Sequence, residues 1–199
     1  RVRSPRTGWR TKRSKARRGS SRRSRSRNAA TPARNRASVA ARSGRPAPAR
    51  DDKVVVSWNG LAIAAFADAG VFLGRGDYID TARQTAQFLL DRLIVDGRLR
   101  RVWADGAAHH LGCLDDYANL CHGLLRLYDA TFEPVWFTSA RDLAEQMVAL
   151  FADPDGAGFF LTGSDGETLL TRTRDLEDHP TPGGNSQAAS VLARLAALT

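Results

Sequence analysis

The sequence predicts an all-α fold, a partial α/α toroid with short β-hairpins between its helix pairs, behind an N-terminal tail without regular structure. Three observations predict it. Helical segments alternate between two kinds, one apolar nearly all round and one carrying a single apolar stripe. Each pair ends in a hairpin signal, and the unit recurs with a period of about 60 residues. Charge also divides the chain: residues 1–50 hold 18 Lys and Arg and no Asp or Glu, whereas residues 51–199 hold 12 and 21.

The first helix is expected over Ser57–Leu73, where Leu61, Ile63, Phe66, Val71 and Phe72 leave no polar face, the mark of burial on all sides. Asp77–Leu93 differs: Ile79, Ala82, Ala86, Leu89 and Leu93 form one stripe with Arg83, Gln87 and Asp91 opposite. Arg98–Trp103 alternates, and Asp105-Gly106 supplies a hairpin turn. The pattern then repeats. Asp115–Thr131 is largely apolar, and Glu133–Phe151 is striped, with Pro134 in its first turn. A second hairpin is expected with Phe159–Thr162 and Thr168–Arg172 flanking Gly163-Ser164-Asp165-Gly166. A third buried-type helix begins at Asn185-Ser186. Such units cannot bury an inner helix alone, so stacking gives an inner ring of apolar helices within an outer ring of amphipathic ones. An ordinary helical bundle or a solenoid is the alternative.

Two domains are therefore expected: a tail over 1–50 and an incomplete toroid over 51–199. The tail is Arg, Ser, Ala and Pro with Trp9 as its one aromatic, too little apolar surface to offset chain entropy, so disorder is the expectation. Arg, Ala, Pro, Ser and Gly are also what GC-rich DNA yields in a wrong reading frame, and the tail is read first as such an artefact. If native, it would bind nucleic acid in a salt-dependent way. Cys113 and Cys121 form no CxxC and no metal spacing, which points to reduced thiols and a cytoplasmic chain. No uninterrupted run of 18 apolar residues occurs, so no membrane partner is expected.

Connectivity gathers the inner-helix entrances at one rim: Ser57-Trp58-Asn59-Gly60, Leu114-Asp115-Asp116-Tyr117 and Gly183-Gly184-Asn185-Ser186. His109, His110 and His179 lie just before the second and third. Aromatic faces, amides and carboxylates at one mouth suit a sugar, whose C–H surfaces stack on rings and whose hydroxyls need polar partners. Histidine and carboxylate offer acid–base chemistry. Each residue also has a plainer role. One of Asp115 and Asp116 caps its helix, since adjacent helical side chains point about 100° apart. Asn185 or Ser186 caps the next, Trp58 is core, and His109 and His110 are solvated. A carboxylate pair for glycoside hydrolysis would come from Asp52, Asp116 and Glu177.

At these motifs the chain resembles the C-terminal region of the spermatogenesis-associated, thioredoxin-like (thioredoxin-domain-containing) protein family. The residues that carry the resemblance are Asp51-Asp52-Lys53, Ser57-Trp58-Asn59-Gly60-Leu61, Leu114-Asp115-Asp116-Tyr117-Ala118, Gly158-Phe159-Phe160 and Pro182-Gly183-Gly184-Asn185-Ser186. It covers residues 46–199 and not the tail. It implies an (α/α)6 toroid, six-hairpin glycosidase-like and similar to those of N-acylglucosamine 2-epimerases, with a role in carbohydrate metabolism. On that reading Asp115, Asp116 and His110 are catalytic candidates, with epimerase-like or glycosidase-like acid–base chemistry. Trp58, Asn59, Tyr117, His179 and Asn185 would contact a carbohydrate or sugar-like small molecule. No metal and no cofactor are expected. The chain shows neither a thioredoxin domain nor a CxxC, so no redox role is expected. About two and a half hairpins are covered, so the ring is expected to stay open. The alternative function is a binding or chaperone-like toroid without chemistry.

Overall fold

The computed structural model describes residues 32–46, 50–156, 158–167, 171–177 and 180–199. The chain divides at Arg50 and Asp51 into two units. In the first, α1 spans Pro32–Ser43, a correction to the expectation of a wholly structureless tail; residues 1–31 lie outside the described residues. Ala and Arg are good helix formers and Pro32 suits a first turn, so a helix can form here without a core.

The second unit runs β1 (Val54–Val55), α2 (Val56–Leu73), α3 (Gly76–Leu93), β2 (Ile94–Val95), β3 (Arg98–Ala104), β4 (Ala107–Leu111), α4 (Leu114–Thr131), α5 (Pro134–Phe151) and α6 (Gly184–Leu198). All five helices expected from residue 57 onward are present. Three form the inner layer, with α4 packed between α2 and α6, and α3 and α5 pack outside them. This is an α/α toroid arc. Leu120, Leu124 and Leu127 of α4 are fully buried, whereas α3 and α5 bury one stripe each, through Ala82, Ala86 and Leu89, and Ala140, Leu143 and Met147.

α2 is long and apolar enough, by length and composition alone, to cross a membrane. Here it packs on α3 and α4, and its Asp68 pairs with Arg126 of α4 at 2.6 Å. It ends at Gly74, whose φ of 62° and amide bonds to the Gly70 and Val71 carbonyls close the last turn. The α2–α4 contact is unusually close. A Cβ at Gly60 would stand 2.5 Å from the Asn119 carbonyl carbon and oxygen, and one at Gly123 would strike the Gly60 oxygen.

The expected hairpin forms as β3 and β4, turning at Asp105-Gly106 with both residues at positive φ, the geometry of a type I′ turn. Asp96-Gly97 makes a second such turn, joining β2 to β3, and β1 pairs with the other edge of β3. Neither short strand is legible in the sequence, because two-residue strands carry no period. The second hairpin is looser than expected. Gly163–Gly166 does turn, closed by a 3.4 Å amide bond. Phe159, however, pairs with Ala152, and the Leu161 amide donates to the Thr173 carbonyl. Thr168–Leu170 lie outside the described residues.

Candidate functional site at the rim

The α2 and α4 entrances are joined by Asp116. Val55, before α2, offers no side-chain cap, so the first-turn amides of α2 need acceptors from elsewhere. The Asp116 carboxylate takes the Ser57 amide at 3.1 Å and its own cap amide, from Cys113, at 2.9 Å. Arg101 on β3 donates to the same carboxylate at 3.0 Å and to Asp115 at 3.2 Å. Asp116 is fully buried. Burial, then the neighbouring Asp115, push its carboxyl up to about 6, against the pull of Arg101 and the two amides. The expected catalytic role is thus corrected for Asp116: its oxygens are spent on the fold and no solvent reaches them. Asp115, half-buried with Arg101 as its partner, is the carboxylate left at the surface.

Two further expected contacts prove structural. Tyr117 is fully buried, with its ring on Phe151. Its hydroxyl accepts the Leu99 amide at 3.1 Å and Arg98 at 2.8 Å, fixing the β-hairpin to α4. Asn185 accepts the Phe159 amide at 2.8 Å and donates to the Phe159 and Asp175 carbonyls at 3.0 and 2.9 Å. It pins the loop between α5 and α6, and both of its amide hydrogens are engaged there. Asn59 donates back to the Val55 carbonyl at 2.8 Å. Trp58 is 65% exposed at the α2 entrance, not core. His110 is exposed on β4, at positive φ. His109 contacts the Ala104 carbonyl at 3.1 Å. His179 lies outside the described residues. Asp52 and Glu177 are exposed.

The α4 and α6 entrances also meet: a Cβ on Gly184 would stand 3.3 Å from the Asp115 amide nitrogen and 3.1 Å from Leu114. Between them opens a cavity of about 90 Å³ lined by Asp115, Asp175, Thr181 and Pro182 among others. A second cavity, of about 290 Å³, is lined by Arg98, His110, Cys113, Thr162 and Glu167 among others. Arg101, Glu167 and Asp175 were not anticipated. An arginine on the first strand of the hairpin before Leu114-Asp115-Asp116 was the available signal for the first. Cys113, Asp115 and Asp116 lie close enough to share a cation. Arg101 already supplies the positive charge there, and burial raises the Cys113 thiol away from the ionised form a metal needs.

No family model matches the chain. Relatives do. Over 170 aligned residues, 80% of this chain, it is 35% identical to human spermatogenesis-associated protein 20, and 36% identical to the rat protein. The chain is a relative of spermatogenesis-associated protein 20 over most of its length. An uncharacterised protein of Caenorhabditis elegans is 31% identical over 163 residues, 78% of this chain. The chain spans 22% of the length of each of these relatives. Among solved structures, a sugar epimerase from a ruminal bacterium superposes with a TM-score of 0.57 at 14% identity, over 74% of this chain and 39% of that one. That likeness shows the fold, an α/α toroid, and bears out the resemblance read from the motifs.

Proposed function

We propose that this arc forms part of a carbohydrate-binding mouth in a toroid, with Asp115 as its central polar group. The observation that carries the reading is the position of Asp115. It is the one carboxylate of the Asp115-Asp116 pair left half-exposed, it borders the cavity between the α4 and α6 entrances, and Arg101 keeps it oriented. A carboxylate held by a guanidinium accepts sugar hydroxyls well. Trp58 offers an exposed aromatic face at the next entrance, and His110 a titratable ring in the larger cavity. Epimerase-like or glycosidase-like proton transfer would fall to Asp115 and His110. Binding without turnover is the second reading. It is favoured by Asp116, whose burial removes one member of the adjacent carboxylate pair from any substrate.

The test is thermal stabilisation of the full chain by a panel of neutral hexoses, N-acetylhexosamines and disaccharides, with product analysis alongside. At least one sugar should raise the melting temperature. Asp115→Asn should abolish that rise while its own melting stays close to wild type. No shift with any sugar, or an unchanged shift in Asp115→Asn, refutes the reading. Binding with no product selects the second reading over the first.

A further inference from the structure

α4 packs on three of its sides and keeps the fourth polar. Gly123 meets the Gly60 oxygen of α2, with Leu120 and Leu127 buried on that side. Cys121 and Tyr117 meet Ala140 and Phe151 of α5. Leu114 meets Gly184 of α6, with Ala118 and Leu125 buried below it. The remaining side carries Asp115, Asn119, His122 and Arg126, one line along the helix at steps of four, three and four residues. It holds no apolar side chain, so its composition does not suit packing against a further helix.

The neighbouring inner helices bound this line. Asp68 of α2 pairs with Arg126 at 2.6 Å. Arg126 reaches Asp129 at 3.4 Å, and Arg194 of α6 pairs with the same Asp129. Two carboxylates and two guanidiniums thus neutralise one another at the end away from the rim. Gly184 lies beside Leu114 at the rim and Arg194 beside Asp129, and these contacts set the register of α6 on α4. Gln187 and Ser190 of α6 therefore stand at the depth of Asn119 and His122.

Between Asp115 and the charge network lie uncharged polar groups. Asn119 is 2% exposed, and its side-chain oxygen has no hydrogen-bond partner among the described residues. A buried acceptor in that state is destabilising until a donor reaches it. His122 is half-buried. Burial, then Arg126, hold its ring below the ordinary histidine range; Asp68 pulls upward, and Arg194 and Asp129 add opposed smaller effects. At neutral pH the ring is therefore uncharged, with one nitrogen to donate and one to accept.

We propose that this face is a second sugar subsite, where Asn119 and His122 bind hydroxyls of the ring next to the one held at Asp115. The inference rests on the carbohydrate reading of the mouth and adds the ligand class, a neutral disaccharide or longer chain. Length follows from the helix. Asp115 and His122 are seven residues apart, about 10 Å at 1.5 Å per residue, further than one hexose ring reaches. Neutrality follows from the charges, which already pair with one another along the line.

Calorimetric titration of the full chain tests this, with glucose, cellobiose and cellotriose, and with N-acetylglucosamine and its β-1,4-linked dimer and trimer. In the series that binds, the dimer should bind about tenfold more tightly than the single sugar, as two further hydrogen bonds imply. His122→Ala should bring the dimer down to the affinity of the single sugar. Asn119→Leu should do the same while melting at or above wild type, because leucine leaves no acceptor in need of a donor. An asparagine that served only the fold would lose stability instead, and that result overturns the proposal. Asp115→Asn separates the two readings. If it abolishes binding while dimer and single sugar bind equally, or while the dimer keeps its advantage in both α4 variants, this subsite falls and the mouth reading stands. If neither series binds, both fall.

Discussion

Adding one methyl group at Gly60 tests how the inner helices meet. An alanine Cβ there would lie 2.5 Å from the carbonyl carbon and oxygen of Asn119 and 2.7 Å from the Leu120 nitrogen. These are backbone atoms of α4, so no rotamer change relieves the clash. Ordinary contact begins near 3.4 Å, so α2 and α4 must separate by about 1 Å at their crossing. Overpacking of this kind costs about 1–3 kcal/mol, and the rigid neighbours put it at the upper end. Alanine returns about 1 kcal/mol of helix propensity. The net loss is about 2 kcal/mol, which for a fold of this size lowers the melting temperature by roughly 4–8 °C. Thermal unfolding followed by circular dichroism at 222 nm reads it directly. Gly123→Ala probes the same joint, and the double variant should lose less than the sum of the two. Gly76→Ala is the control: nothing lies within 4 Å of its Cβ, so it should melt at or slightly above wild type. If Gly60→Ala also melts at or above wild type, α2 and α4 do not cross as described.

Three further outcomes probe the rim. Asp116→Asn keeps an acceptor for only one of the Ser57 and Cys113 amides, so it should cost about 1–3 kcal/mol in denaturant unfolding. The sign with pH follows from the raised carboxyl. Its stabilising contribution is fully present below the ordinary 3.8 and is lost as pH rises through about 6, so the deficit of Asp116→Asn should be larger at pH 4 than at pH 7; a deficit that grows toward pH 7 counts against a buried, proton-holding Asp116. Tyr117→Phe strands the fully buried Leu99 amide group and should cost about 1–3 kcal/mol with an unchanged denaturant slope. Asn185→Ala removes three bonds that hold Phe159 and Asp175, and should speed proteolytic cleavage between α5 and α6 well before global unfolding; equal cleavage rates would show that the loop holds itself.

Much of the fold was legible because the inner and outer helices differ in periodicity. Val56–Leu73 and Pro134–Phe151 fall within a residue of their expected starts because burial on all sides and burial on one side leave different sequence patterns. Ile94–Val95 was not legible, since two residues cannot alternate, although Asp96-Gly97 marked its turn. At the site, the sequence located the three entrances but not the orientation of their side chains. Asp115 and Asp116 are indistinguishable by type. What separates them is a residue 59 positions away, the Ser57 amide, and no local pattern reports a partner at that distance. Aromatics and amides at a mouth make good ligand contacts, which is the role the sequence suggests for Tyr117 and Asn185. The hairpin amide of Leu99 and the loop carbonyls of Phe159 and Asp175 engage them first.

The rim is therefore built by capping across helices. Neither Val55 nor Gly183 offers its helix a side-chain cap. For α2 the missing acceptor comes from Asp116 of the next inner helix. A carboxylate is suited to this because it can accept the Ser57 amide, the Cys113 amide and Arg101 at once, where serine or threonine would serve only its own helix. The consequence is mechanical. α2, α4 and the β-hairpin are fixed to one another at the point where Asp115 emerges, and Arg101 bridges both carboxylates. A polar group on such a frame stays oriented without ordering on ligand entry, the condition under which a single carboxylate can discriminate among hydroxyl geometries. Arg101→Lys isolates this effect. Arg101 reaches both carboxylates through one nitrogen, Nη1; lysine retains the charge on a shorter, more flexible stem and holds Asp115 less firmly, so sugar affinity should fall more than stability. Equal losses in both would mean that the bridge serves the fold alone.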